Sequence, residues 1–253
     1  MERITSRTNP LIAHLRKLNA SRSYRREQGE FPGEGPKLLG EALKWGAPLK
    51  CVVFAEGTSL PALPEDVRVV EVPGDLLKSA ADTETPQGVV FTCAIPDLPL
   101  PEDLPQGGYL VLDGVQDPGN VGTVWRTADA FDAAGLILLP GCADPFAPKT
   151  VRATMGACFR HRAYETSLEV LVAALKKSGI PLYATALRED TVDVREAGLR
   201  NAAVIIGSEG RGISEAALSL CEKTLKIPMS PRCESLNAAV AASVVAWEMA
   251  RDS

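Results

Sequence analysis

Leu112-Asp-Gly-Val-Gln-Asp-Pro-Gly-Asn-Val-Gly-Thr-Val-Trp-Arg126 joins an apolar run, Tyr109 to Leu112, to a helical pattern through a loop of Asp, Gly, Pro and Asn. Asn120 is placed to cap that helix, its side-chain oxygen accepting from a free backbone N–H of the first turn. Behind it Val121, Val124, Ala128 and Phe131 recur at helical spacing and form one apolar face. Arg126 falls off that stripe, on the outward side. A strand that breaks into a glycine turn and a capped helix is the unit of an open α/β sheet, and ligands bind such sheets at the carboxyl ends of the strands.

The same alternation extends in both directions. Downstream, strands are predicted at 135–139, 181–186, 202–206 and 225–227, with helices around 148–158, at 167–178 and 214–221, and a long final helix from Ser235. Short strands bounded by helices imply a parallel sheet covered on both faces. Upstream, Asn9-Pro10 starts a helix, with Asn as cap and Pro at the first helical position. Leu11, Leu15 and Leu18 form its apolar stripe. Glu34 to Trp45 is a second helical pattern, and apolar runs follow at 51–55, 67–72 and 89–94. Between the two series, Ile95 to Gly108 carries four prolines and two glycines, a composition that stiffens the chain and withholds hydrogen-bond donors. The expected organisation is therefore a small α/β domain at 1–95, a Pro-rich linker at 96–108 and an α/β domain at 109–253.

The chain has 253 residues, a formal net charge of −5 and six scattered cysteines without a Cys-x-x-Cys pair. Scattered thiols suit a reduced, cytoplasmic protein. His14 and His161 lie in no metal-ligand spacing, so no metal is expected, and no apolar run approaches the ~18 residues of a membrane helix. The acidic total argues against indiscriminate nucleic-acid binding. Its distribution does not: Arg3, Arg7, Arg16, Lys17, Arg22, Arg25 and Arg26 face only Glu2 in the first 26 residues. Such a segment serves equally as a solvated helix face or as an electrostatic footprint for phosphate.

Two later stretches carry chemistry-bearing residues. Val204-Ile-Ile-Gly-Ser-Glu-Gly-Arg-Gly-Ile213 is a strand breaking into glycines, with neither the dinucleotide nor the P-loop spacing; alone, it reads first as a plain strand-to-helix turn and only second as a ligand loop. Ile227-Pro-Met-Ser-Pro-Arg-Cys-Glu-Ser-Leu-Asn237 precedes a helix that is small and apolar on nearly every side, which calls for burial in a core or a subunit interface. Ser235 is the expected cap of that helix, and with Asn237 it sets polar groups where backbone N–H groups also point outward.

In this order, Asn-x-Gly-x-x-x-Arg, Gly-x-Glu-Gly-x-Gly and Ile-Pro-Met…Ser-Leu-Asn resemble the SpoU-type (TrmH-like) branch of the SPOUT RNA methyltransferases. Asp144-Pro-Phe-Ala-Pro-Lys-Thr-Val-Arg-Ala-Thr-Met-Gly156 is similar to the segment between the family's first two motifs. In the front half, Ile4 to Pro10, Phe31 to Leu39 and Thr85 to Gly88 resemble the L30e-like substrate-binding domain of many members. Asp132 and Thr154 depart from the family, standing where Gly and Ser are frequent.

The resemblance implies a mostly parallel sheet with helices on both faces, tied in a trefoil knot, and transfer of a methyl group from S-adenosylmethionine to a ribose 2′-hydroxyl of RNA. It assigns the cofactor to Gly207, Ile227 and Leu236, with Ile206, Gly210 and Met229 nearby, and catalysis to Arg126, Asn120, Ser235, Asn237 and Glu209. The transfer is an in-line displacement, needing the ribose oxygen about 3 Å from the methyl carbon. A guanidinium, with a pKa above ~12, is no base; the role open to Arg126 is a fixed cation that steadies the developing alkoxide and grips the adjacent phosphate. The resemblance also implies a homodimer and RNA contacts from Arg7, Arg16, Lys17, Arg22, Arg25, Arg26, Lys149 and Arg152. Ribosomal RNA is favoured over transfer RNA by the kind of front domain. The competing classes are a tRNA methyltransferase, a catalytically silent RNA-binding factor of ribosome assembly on the same fold, and a nicotinamide oxidoreductase, which would need a glycine fingerprint that this chain lacks.

Overall fold

The computed structural model describes residues 2–186, 188 and 191–251. Two compact units emerge: Met1–Asp97 with Asp144–Phe159, and Leu98–Ala143 with Arg160–Ser253. This differs from a single break at 96–108. Residues 98–108 are no free linker: Leu104 is buried, its N–H donates to Ser178 Oγ (2.7 Å), and Gly107 N–H donates to Asn201 Oδ1 (2.7 Å).

The first unit begins with β1 (Glu2–Arg3), α1 (Pro10–Ala20), α2 (Arg22–Gln28), β2 (Glu30–Glu34) and α3 (Pro36–Lys44), then β3 (Leu49–Ala55), β4 (Arg68–Val72), α4 (Gly74–Ala80) and β5 (Val89–Ala94). Asn9 caps α1 as expected, accepting from Leu11 N–H at 2.9 Å. Its sheet runs β1-β4-β3-β5-β2, parallel from β1 to β3 and antiparallel thereafter. Glu34 belongs to strand β2 and not to the helix that the pattern suggested. Pro32 and Gly33 disguise that strand, and both are tolerated: β2 is an edge, where a missing N–H costs little, and a Cβ on Gly33 would collide with the Phe91 ring at 2.3 Å. Leu11, Ile12 and Leu15 of α1 share a core with Val53, Val70, Leu76, Leu77 and Val90.

The second unit continues with β6 (Tyr109–Asp113), α5 (Pro118–Ala130) and β7 (Gly135–Leu138). The chain then enters the first unit through α6 (Pro148–Ala153) and returns for β8 (Ala163–Glu165), α7 (Leu168–Ser178), β9 (Leu182–Thr185), β10 (Val192–Asp193), β11 (Ala203–Gly207), α8 (Glu215–Leu220), β12 (Lys223–Lys226) and α9 (Ala238–Ala250). The sheet order is β10-β12-β9-β11-β6-β7-β8, and every pairing is parallel. Tyr109, Val111, Ala203 and Ile205 share one core with Leu171 and Leu175 of α7. The alternating residues Leu110, Leu112, Val204 and Ile206 face the other way and are buried too. Strands covered on both faces explain the unbroken apolar runs. Asp132, where the family often has Gly, holds a left-handed φ of +53°, a conformation that Asp adopts more readily than most residues.

Within the first unit, residues 144–159 are pinned by Phe146 against Phe31 (ring centroids 5.0 Å apart) and by an ion pair of Arg25 with Asp144 at 2.6 Å, both side chains almost fully buried. Arg25 is therefore a structural residue, which corrects its expected role in RNA contact: a guanidinium sealed against a carboxylate cannot meet a phosphate. Arg25→Ala is expected to cost about 3 kcal/mol by leaving the Asp144 carboxylate buried with the Phe146 N–H at 3.1 Å and the more distant Arg26 at 3.5 Å to compensate; urea unfolding measures it. The other basic residues of this segment lie at the surface, Arg7 bonded to Asp75 and Arg16 to Ser79. Burial raises the Cys51 and Cys221 thiols to about 11 and pushes Cys93 and Cys142 upward as well, so these four stay protonated and unreactive.

Candidate active site

Three strands of the second unit, β9, β11 and β12, end side by side, and the chain around their carboxyl ends encloses a cleft of about 460 Å³, within the usual range for small-ligand sites. Thr185 and Ala186 line it from β9, Ile206 to Glu209 from β11, Leu225 to Ile227 and Met229 from β12, and Glu234 to Ala238 from the approach to α9. Gly207 leaves no room for a side chain at its point of the wall. A Cβ there would lie 2.3 Å from the Gly212 carbonyl carbon and 2.5 Å from the Ile213 nitrogen, so the loop 208–213 folds over the strand end only because Gly207 has no side chain. Ser208 and Gly212 exchange backbone hydrogen bonds of 3.1 and 2.9 Å that close this loop, and Gly212 takes a φ of +68°.

Polar side chains converge at the rim. Both expected caps shift by a few residues. Asp117, not Asn120, caps α5, accepting from Gly119 N–H and Asn120 N–H at 2.6 and 3.1 Å. Asn237, not Ser235, caps α9, accepting from Ala239 N–H and Val240 N–H at 2.9 and 3.3 Å. Pro118 at the first helical position of α5 explains the first shift, since its absent N–H and preset φ suit only that place. Freed from capping, the Asn120 amide donates to Glu209 and accepts from Asn237 Nδ2 at 3.2 Å. One chain of hydrogen bonds thus links α9, α5 and the glycine loop.

Of the residues expected to hold a cofactor, Ile206, Gly207, Ile227, Met229 and Leu236 line the cleft and Gly210 does not. Glu209, Ser235 and Asn237 line it too, and Asn120 is bonded to two of those three. Arg126 is exposed on α5, has no partner among the described residues, and is not part of the cleft wall of its own chain. Thr185, Ala186, Lys226 and Glu234 escaped the sequence reading; the first two reach the site only because β9 lies between β11 and β12. Mostly apolar walls, with Lys226, Glu209 and Glu234 at hand, match a ligand with an apolar heterocycle and a zwitterionic end, as S-adenosylmethionine has.

Comparison with known proteins agrees. The description "SpoU rRNA Methylase family" fits residues 108–247 and "MRM3-like substrate binding domain" fits residues 9–90. The chain is 32% identical to the 23S rRNA (guanosine(2553)-2′-O)-methyltransferase RlmP of Bacillus subtilis, over 98% of this chain and 99% of that protein. An AdoMet-bound rRNA methyltransferase from Sinorhizobium meliloti superposes with a TM-score of 0.88 at 30% identity, covering 99% of this chain and 98% of that one. A structure described by 2-OH methylation of C/U34 on tRNA, 32% identical, reaches a TM-score of 0.50 and covers 56% of this chain and 93% of its own. The fold and cleft define an S-adenosylmethionine-dependent RNA methyltransferase of the SPOUT type. The chain belongs to the SpoU rRNA methylase family.

Proposed function

We propose that the chain methylates a ribose 2′-hydroxyl of ribosomal RNA and that it does so as a homodimer. The hydrogen-bonded chain Asn237–Asn120–Glu209 at the cleft rim carries this reading, because packing alone has no use for three converging polar side chains there. It also counts against a silent binding factor. S-adenosylmethionine, when bound, supplies an electrophilic methyl group on a cationic sulfur. Gly207, Ile227 and Leu236 would hold it, while Glu209, bonded to Asn120, keeps its carboxylate fixed. Arg126 steadies the negative charge that develops on the ribose oxygen and grips the neighbouring phosphate. Ribosomal RNA is favoured because the rRNA relatives match over 98–99% of the chain, whereas the tRNA-described structure covers 56% of it. We assign the enzyme to the cytoplasm, in keeping with six free cysteines; among the described residues no helix is long and apolar enough to cross a membrane.

The homodimer reading rests on α9. Val240 and Trp247 are 49% and 55% exposed, with Val244 partly exposed between them on the same helix face, and Phe131 packs edge-on against Trp247 at 5.8 Å. Spacing i, i+4, i+7 makes these residues one apolar stripe, beside the α5 helix that carries Arg126. Pairing of two such stripes brings the Arg126 of one protomer toward the other's cleft. Trp247→Glu is expected to raise the dimer Kd at least ~30-fold, the effect of losing one aromatic anchor, read by light scattering across a concentration series. Mixing Arg126→Ala protein with a cofactor-deficient variant tests action across the dimer: restored methyl transfer to rRNA supports it, and an inactive mixture that still forms mixed dimers refutes it.

A further inference from the structure

The first unit holds a second cavity, of about 790 Å³, which the methyl-transfer site does not use. It lies at the start of α3, beside the turn 83–87, and one wall comes from the 144–159 segment. That wall consists of Arg152 and Met155, which fall outside the range matched by the substrate-binding-domain description and inside the methylase range. The site is thus composite: neither sequence block builds it alone.

Its chemistry is mixed. Lys37 is an exposed cation with no hydrogen bond or ion pair among the described residues. The side chains of Thr85 and Gln87 are likewise unengaged there. Pro36 and Met155, the latter 52% exposed, add apolar surface. The acidic groups on the wall are occupied: Glu34 accepts from Asp82 N–H, Thr83 N–H and the Thr83 hydroxyl, and Glu41 is engaged as well. Arg152 is fixed in place by Asp82 at 2.7 Å. A free cation, two free hydrogen-bonding side chains and an apolar surface around such a volume form the donor set for a base out of its stack together with its phosphate. We propose that this cavity takes one unstacked nucleotide of the RNA substrate, an inference that rests on the RNA methyltransferase reading.

Gly40 offers a clean probe. It lines the cavity, and a Cβ there meets nothing within 4 Å, so the side chain of Gly40→Phe starts in open space and takes up volume at the cavity wall. The assay is filter binding of deproteinised bacterial 23S rRNA to the full chain across a salt series, with S-adenosylmethionine affinity measured by calorimetry. Gly40→Phe is expected to weaken RNA binding about tenfold, the loss of one bound base. Lys37→Ala is expected to reduce the salt slope by about 1. Lys78→Ala, an exposed cation on α4, should leave the slope of the wild type, and cofactor affinity should hold in all three. Unchanged RNA affinity and slope in both cavity variants, with the wild type still methylating rRNA, overturns the cavity proposal alone and leaves the space to a protein partner. A wild type that methylates no rRNA overturns the parent reading, and the proposal with it.

Discussion

Arg126→Ala is expected to lower methyl transfer about a thousandfold, the loss seen when one preorganised donor to a developing oxyanion is removed, with S-adenosylmethionine affinity unchanged. The separation follows from where the residue lies. Arg126 is absent from the cleft wall of its own chain, so removing it takes nothing from the cofactor. It is also exposed and without a partner among the described residues, so the fold loses no ion pair. Arg126→Lys should recover little: an ammonium keeps the charge but cannot grip a phosphate with two parallel hydrogen bonds. Single-turnover transfer together with calorimetry measures both quantities. Turnover near wild type in the alanine variant would remove Arg126 from the mechanism.

The opposite signature is expected for Gly207→Ala. Its φ lies outside the left-handed region, so alanine is conformationally acceptable and the obstacle is purely steric. The added methyl meets backbone atoms at 2.3 to 2.6 Å, and no flexible side chain is there to yield. Loop 208–213 must move outward, carrying Glu209 away from Asn120. Overpacking of this kind costs about 1–3 kcal/mol, so cofactor affinity should fall between about 10- and 100-fold while RNA binding without cofactor persists. Cofactor affinity equal to wild type would show that the closed loop does not shape the site.

The architecture was legible where one physical signal dominated. Parallel strands buried on both faces must be apolar throughout, and the strands from β6 to β12 are read from such runs, save the three-residue β8, whose Ala163-Tyr-Glu165 is no apolar run, and the two-residue β10. The reading slipped where two residues could do the same work. Asp117 and Asn120 both precede the apolar stripe of α5, and only Pro118 distinguishes them. Ser235 and Asn237 pose the same ambiguity before α9. The α2 helix escaped because Arg22 to Gln28 has no apolar stripe, although Ser21 and Gly29 mark its two ends. Arg25 looked like one more surface cation, since no local pattern reveals a carboxylate 119 residues away. Thr185 and Ala186 were invisible for a related reason: strand order, not sequence order, brings them to the cleft. Periodicity encodes no knot, and only the family resemblance implies one.

One measurement bears directly on the central claim. The purified full chain is incubated with methyl-tritiated S-adenosylmethionine and unmodified bacterial 23S rRNA, and the RNA is digested to nucleosides and separated. Label is expected in a single 2′-O-methylnucleoside, absent with the Arg126→Ala protein. Label on a methylated base, or none in the RNA while the cofactor binds the protein, would contradict ribose methylation by this site.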